Sequence, residues 1–492
     1  MQPERSAGSR ARGATVLLST QWVRYVLQIA NIVVLARLIG PTDFGVVSLG
    51  LAIVGIASVL GDFGLSLAAL REKALTQQQK SNLLWINTAI GAVLAVLVAA
   101  AAVPIGRAFA DDRLITVVLI AAPAYLLRAA AVQFQVELNR EERFRRLAAS
   151  ELGGDAVGVL TAVILALVGT GYAALAFQGT ISALVSLVWA CVAAGWRPSP
   201  PRRAEMRRLL TFGVSTLGAH AAHYVTTNVD TIAMGAWYSS AVVGLYSRAY
   251  QLVMLPLQQV AAPLTRVVLP RLADVADDLD ALNDALVRAQ RLVSHALLAV
   301  TGLLVVCGAP LIQVVLGAEW VPAMEYLPVL AAGTVFQTIA YAYYWGFAAL
   351  GRSGVLFLSE IVGRVPMVAL IVLWAPLAPV GVAWGVVAGQ VLIWASGTFV
   401  FAPRAGLRVP ELLRTAIVPL VVSGVATAGA WGLDVAALID LPPIVRLVVV
   451  CLAWLILAGG MLAVCGRRDV RLIVSVARSL TSRRGVTAEA PD

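Results

Sequence analysis

The chain has 492 residues, 60% of them hydrophobic and 13% charged, with a mean hydropathy of +0.85 and a formal net charge of +10. Soluble domains carry about 25% charged residues, so a water-solvated fold around one large core is excluded. The basic residues recur at every second link between apolar stretches instead of gathering on one domain, which excludes a nucleic-acid platform and fits the positive-inside pattern.

Apolar stretches, about fourteen of them and each roughly 20–27 residues long, are enough for helices to cross a hydrocarbon core about 30 Å thick. The first, 14–36, follows Arg5, Arg10 and Arg12, lacks a cleavable signal pattern, and is expected to be retained. Its Gln21, Arg24, Gln28 and Asn31 fall within about 80° of one helical face. Stretches 44–70, 83–106, 114–136, 148–169 and 171–195 follow, with Asp62, Arg128, Glu151 and Asp155 inside them. The link 196–208, WRPSPPRRAEMRR, is proline-rich and basic and marks the boundary between halves.

Stretch 212–236 carries a second stripe, His220, His223, Thr227 and Asp230. Stretch 241–268 holds Arg248, and Pro256, Pro263 and Pro270 recur near one face at seven-residue spacing. They read either as the kinks of a bent gating helix or as tolerated membrane prolines. In the link 271–291, Leu272, Leu279, Leu282 and Leu286 share a helical face away from Asp274, Asp277, Asp278 and Asp284. That is the pattern of a helix lying in the interface, with a solvated loop helix as the alternative. Stretches 291–316, 324–350, 354–376 and 379–402 complete the second group. They include the stripe Gln337, Tyr341, Tyr344 and Ala348 beside Trp345, and the i, i+4 pair Glu360 and Arg364. Stretches 412–433 and 442–466 and a basic tail end the chain. Cys191, Cys307, Cys451 and Cys465 fit neither a zinc site nor a disulfide framework and read as core.

An internal repeat underlies this order. At an offset of 199 residues, ARLIGPTDFGVVSLG (36–50) aligns with GAWYSSAVVGLYSRA (235–249), matching Gly45 to Gly244 and Ser48 to Ser247. At 209, SELGGD (150–155) aligns with SEIVGR (359–364). Both offsets advance the chain by six stretches, so the repeats share one orientation, as in transporters that rock one half against the other. The expected fold is an all-α polytopic membrane protein of about fourteen transmembrane helices, arranged as two parallel six-helix bundles (1–195 and 212–402) joined by the linker 196–211. Two extra helices (403–466) and a cytoplasmic tail (467–492) follow.

The two stripes, related by the 199-residue offset, are expected to face each other across a central cavity, because a charge at bilayer centre costs at least about 2.5–3.5 kcal/mol on insertion scales. Packed hydrogen-bond seams are the alternative. Arg24, Gln28, Arg128, Arg248, His223 and Arg364 are the candidate substrate-binding residues, since guanidinium forks suit phosphate oxygens. Asp230, Glu151 and Glu360 are candidates for proton or Na⁺ coupling, with no other cofactor and no metal expected. Asp230 has a structural alternative, an ion pair with Arg24 or Arg248. The basic links place both termini in the cytoplasm.

At RLIGPTDFGVVSLG (37–50), FQVELNREERFRRLAASE (134–151) and VLGAEWVPAMEYLPVLA (315–331), the chain resembles the polysaccharide flippases of the multidrug/oligosaccharidyl-lipid/polysaccharide exporter superfamily, nearest the colanic-acid and teichuronic-acid exporter type. The resemblance runs over roughly residues 14–466. It implies two six-helix lobes, two extra helices, alternating access, a bacterial inner-membrane location and a polyprenyl-pyrophosphate-linked oligosaccharide as cargo, with polymerase and glycosyltransferases as further partners. Cavity arginines recur in that family, and Arg24 fits the pattern. A drug antiporter of the same superfamily is the alternative. A membrane glycan polymerase or ligase would need a sizeable outer loop bearing acid, base or nucleophile; the outward links are about ten residues or shorter, so no enzyme is expected.

Overall fold

The computed structural model describes residues 3–58, 65, 69, 72, 75–204, 206–466 and 469–471, with side chains described for all of these except 3–20, 208 and 212–222. Asp62, Arg71, Lys73, the tail 472–492 and the side chains of Arg5, Arg10, Arg12 and His220 thus lie outside the described residues.

Among the described residues every regular element is helical. In chain order they are α1 (Pro3–Leu38), α2 (Pro41–Val54), α3 (Gln77–Ala108), α4 (Arg113–Arg140), α5 (Phe144–Leu167), α6 (Tyr172–Ala194), α7 (Arg207–Trp237), α8 (Ser240–Ala273), α9 (Leu279–Val315), α10 (Leu327–Ala349), α11 (Ser353–Trp374), α12 (Pro379–Ala395), α13 (Val409–Leu433) and α14 (Pro443–Cys465). Ten of them are long and apolar enough to cross a membrane, against the expected count of about fourteen. Helices α1, α7 and α10 are long enough, but the polar stripes singled out above dilute their apolar character; α2 is described over 14 residues.

By packing, the chain divides into two compact units, residues 1–247 and 248–492. In the first, α4 packs on both α3 and α6, α5 packs on α6, and α1 lies along α5. Helix α3 opens with a capping box: the Thr76 hydroxyl accepts from the Gln79 amide at 3.2 Å, and the Gln79 carboxamide accepts from the Thr76 amide at 3.0 Å. The first turns of α3 also hold the proline-rich linker. Asn82 donates to the Arg202 carbonyl at 2.7 Å, Trp85 to that of Ser199 at 2.9 Å, and Gln78 to that of Pro200 at 3.0 Å.

The two repeat glycines meet in this unit. A Cβ on Gly45 would stand 1.6 Å from the Ser240 carbonyl oxygen, and one on Gly244 would stand 1.9 Å from that of Pro41. The N-terminal turns of α2 and α8 therefore touch backbone to backbone, which only glycine permits.

In the second unit α9 packs on α10, α13 and α14, and α12 packs on α10 and α11. The acidic segment 271–291 is not a separate interfacial helix. The chain breaks after Ala273, and Asp278 caps α9 by accepting from the Asp280 and Ala281 amides at 2.9 and 3.1 Å. Leu282 and Leu286 then enter the protein core rather than an interface, because the apolar face continues unbroken into the span. Helices α12 and α13 end in π-helical turns, Ser396–Phe401 and Asp434–Leu438. At the second of these, buried Asp434 accepts two bonds of 2.6 Å from Arg446 on α14. Helix α8 is continuous through all three of its prolines.

Candidate substrate and ion sites

In the first unit α1, α5 and α6 converge on Arg24. Its guanidinium is ion-paired to Glu151, its Nε lies 3.8 Å from the Asp155 carboxylate, and Asp155 accepts from the Ser182 hydroxyl at 3.1 Å. Arg24, a candidate for cargo binding from its place in the polar stripe, sits here between two carboxylates; the i, i+4 spacing of Glu151 and Asp155 is the signal that the sequence carries. Formal charges at this cluster sum to one negative. Farther along α1, Gln28 is exposed, and the buried Asn31 Oδ1 has no hydrogen-bond partner among the described residues. Arg128 on α4 is exposed, makes no ion pair among the described residues, and has its Nη2 3.6 Å from where a Cβ on Gly179 would stand.

The α7 stripe divides. His223 is exposed, and the Thr227 hydroxyl bonds back to the His223 carbonyl at 2.9 Å. Asp230 is buried and accepts from the Tyr246 hydroxyl at 2.6 Å and the Thr231 amide at 2.7 Å. Among the described residues it forms no ion pair with Arg24.

In the second unit four helices wall a cavity of about 600 Å³, within the ~300–1,000 Å³ range of small-molecule sites. Helix α8 contributes Gln258, Thr265 and Arg266; α10 contributes Gln337, Tyr341 and Tyr344; α11 contributes Glu360 and Arg364; and α12 contributes Gln390. The Trp345 indole donates to Thr265 at 3.1 Å, and Tyr341 packs on Trp345 and edge-on to Tyr344, with centroids 5.3 and 6.2 Å apart. Arg364 donates to Glu360 at 2.5 Å. The Gln337 Oε1 is buried with no hydrogen-bond partner among the described residues, a state that costs about 1–3 kcal/mol unless a ligand or water donates. Arg248 lies apart from these residues, buried 5.6 Å from the Trp320 ring and donating to Gln251 at 2.5 Å.

Of these residues the sequence made Glu360 and Arg364 site candidates and showed the α10 stripe only as a polar and aromatic face; Gln258, Arg266 and Gln390 were not singled out. Gln258, Thr265 and Arg266 recur at i, i+7 and i+8, so the α8 face carried a signal. Among the described residues no group of His, Cys, Asp and Glu could hold a metal ion.

The fold is that of known transporters. It is similar to the lipid II flippase MurJ in an inward closed conformation, with a TM-score of 0.71 and 15% identity, covering 92% of this chain and 99% of that one. It is also similar to an inward-facing multidrug resistance MATE family transporter, with a TM-score of 0.61 and 14% identity over 79% of this chain and 95% of the other. In this fold, ion pairs and a polar cavity lie among helices long and apolar enough to cross a membrane.

Residues 34–325 match the family described as polysaccharide biosynthesis protein, and the chain belongs to that family. It is 25% identical to the succinoglycan biosynthesis transport protein ExoT of Rhizobium meliloti over 67% of this chain and 67% of that protein. It is 24% identical to the lipopolysaccharide biosynthesis protein WzxC of Escherichia coli, over 62% of this chain and 63% of the relative. The teichuronic acid biosynthesis protein TuaB of Bacillus subtilis is 24% identical over 64% and 66%, respectively. The matches thus span about two thirds of these relatives' lengths.

Proposed function

We propose that the protein is a flippase that carries a polyprenyl-pyrophosphate-linked oligosaccharide from the cytoplasmic to the outer leaflet by alternating access, with both termini in the cytoplasm. The observation that carries this reading is the cavity of the second unit. Three carboxamides and a guanidinium–carboxylate pair complement sugar hydroxyls, and the Tyr341 and Tyr344 rings offer faces for a pyranose. The unpartnered Gln337 oxygen awaits a hydroxyl donor. Arg266 and Arg128, which form no ion pair among the described residues, suit pyrophosphate oxygens. Gln28 and His223 supply further polar contacts, and Arg24 and Arg364 bind cargo when their carboxylate partners release them. Arg248 acts through its aromatic neighbour. The relatives' names, with succinoglycan and teichuronic acid among them, support a glycan cargo. Glycosyltransferases that build it and a polymerase that consumes it are the expected partners.

Glu151, with Asp155 beside it, is the leading coupling site for a proton or Na⁺, ahead of Glu360 and the enclosed Asp230. The negative excess around Arg24 also favours a second reading, an ion-coupled antiporter of cationic drugs. The test is glycan export in a strain lacking the chromosomal gene. Arg266→Gln and Arg24→Ala variants, present in the membrane at wild-type level, should lose export, and lipid-linked oligosaccharide should accumulate on the inner leaflet. Full export by both would sink the reading, and drug efflux without any glycan phenotype would establish the second.

A further inference from the structure

We infer that a second pocket, between α9 and α13 at the end of α14, is a binding site for a phosphate monoanion of the kind carried by anionic bilayer lipids. The pocket, about 290 Å³, is lined by Arg291 from α9, by Arg414, Thr415 and Val418 from α13, and by Val464, Cys465, Gly466 and Asp469 at and beyond the end of α14. It shares no residue with the cavity proposed for cargo.

Its charge is arranged to accept an anion. Asp469 is buried and is held on both oxygens, by Arg291 at 3.3 Å and by His295 Nε2 at 3.0 Å. Arg291 is thereby fixed at the pocket wall. Arg414 is exposed and, among the described residues, makes no hydrogen bond or ion pair. The contrast with its neighbour is informative. Arg408, at the start of the same helix, is neutralised by Asp280, by Asp284 at 3.2 Å and by Glu411 at 3.6 Å. The two arginines and one aspartate of the pocket leave an excess of one positive charge, which matches one phosphodiester. The planar fork of Arg414 can give that group two parallel hydrogen bonds.

The surroundings indicate where the phosphate comes from. The pocket opens where α14 ends, beside the apolar side chains of Val418 and Val464, the latter 74% exposed. An anion seated there has apolar groups on one side for a glycerol backbone and acyl chains. Basic pockets between spanning helices suit anionic lipid headgroups, each arginine near the membrane surface contributing about 1 kcal/mol.

Native mass spectrometry of the purified full chain tests this. Delipidated protein is titrated with phosphatidylglycerol, with phosphatidylcholine, and with phosphatidylglycerol in the presence of inorganic phosphate. The wild type should retain phosphatidylglycerol over phosphatidylcholine, and Arg414→Gln should lower that retention about fivefold. Arg352→Gln, at an exposed arginine outside the pocket, should leave it unchanged. Arg414 makes no contact that the fold needs, so the variant should unfold at the wild-type temperature. Competition by millimolar phosphate would assign the site to phosphate in general, and failure to compete would assign it to the lipid. No preference between the two lipids, or equal losses in Arg414→Gln and Arg352→Gln, would overturn the proposal.

Discussion

The contact of Gly45 with the start of α8 invites a direct perturbation, Gly45→Ala. The new Cβ would stand 1.6 Å from the Ser240 carbonyl oxygen and 2.8 Å from the Gly244 nitrogen, where ordinary Cβ contacts lie at 3.4–4 Å. Both opposing groups are backbone, so no side-chain rotation relieves the clash. The turns of α2 and α8 must part by about 1.8 Å at this point, and overpacking on that scale costs about 1–3 kcal/mol or more. That lowers the population of the described state about 5–150-fold. Thermal unfolding of the purified protein in detergent reads the effect. Gly424→Ala is the control, because nothing lies within 4 Å of a Cβ there, and alanine inside a helix gains about 0.5–1 kcal/mol over glycine. The two alanine variants should therefore shift the midpoint in opposite directions. Equal midpoints for Gly45→Ala and Gly424→Ala would refute the reasoning.

Three further outcomes follow from the geometry. Asp434→Ala leaves the partly exposed Arg446 guanidinium without its two-fold acceptor and should cost about 1–3 kcal/mol; denaturant unfolding measures it, and unchanged stability would mean water replaces the carboxylate. Asp230→Asn should retain full response to an imposed proton gradient in cargo-loaded vesicles, because Tyr246 and Thr231 already enclose the carboxylate; loss of that response alone would make Asp230 the coupling group. In the α3–α4 link, the hydrogen bond from Arg113, aided by Ser240, holds the Asp111 carboxyl below the usual carboxylate range. A lowered folded value means its contribution is complete above the unfolded pKa of about 3.9 and fades as pH falls through the folded value. The deficit of Asp111→Asn in thermal unfolding should then shrink between pH 7 and pH 3, and an undiminished deficit at pH 3 would contradict the assignment.

The helices were legible because 20-residue apolar runs bounded by glycine, proline and arginine have one solution in a bilayer. Gly45 and Gly244, matched to each other at the 199-residue offset, hold glycine because each backbone lies against the other. Partnerships between separate helices were not legible, although the i, i+4 pair Glu360 and Arg364 was. The partner of Arg24, Glu151, stands 127 residues away, and hydropathy carries no record of which spans adjoin. The cavity expected from the sequence was a central one lined by the stripes of α1 and α7; the second-unit cavity showed only as the Tyr341 stripe and the Glu360–Arg364 spacing, neither of which announced a pocket. Arg266 and Gln390 are single polar residues on other helices, and only tertiary packing brings them to the same space. The acidic link misled because amphipathicity alone cannot separate an interfacial helix from the first turns of a long span whose leucines face the core.

Reconstituted vesicles test the central claim most directly. The purified protein is placed in vesicles with lipid-linked oligosaccharide extracted from the producing cells, and a membrane-impermeant glycosidase outside reports which leaflet holds the glycan. The account predicts that protein-containing vesicles expose the inner-leaflet glycan to the enzyme, and that Arg266→Gln slows this at least tenfold while leaving the vesicles sealed. Digestion that stops at the outer-leaflet fraction, at the same extent with and without protein, would contradict it.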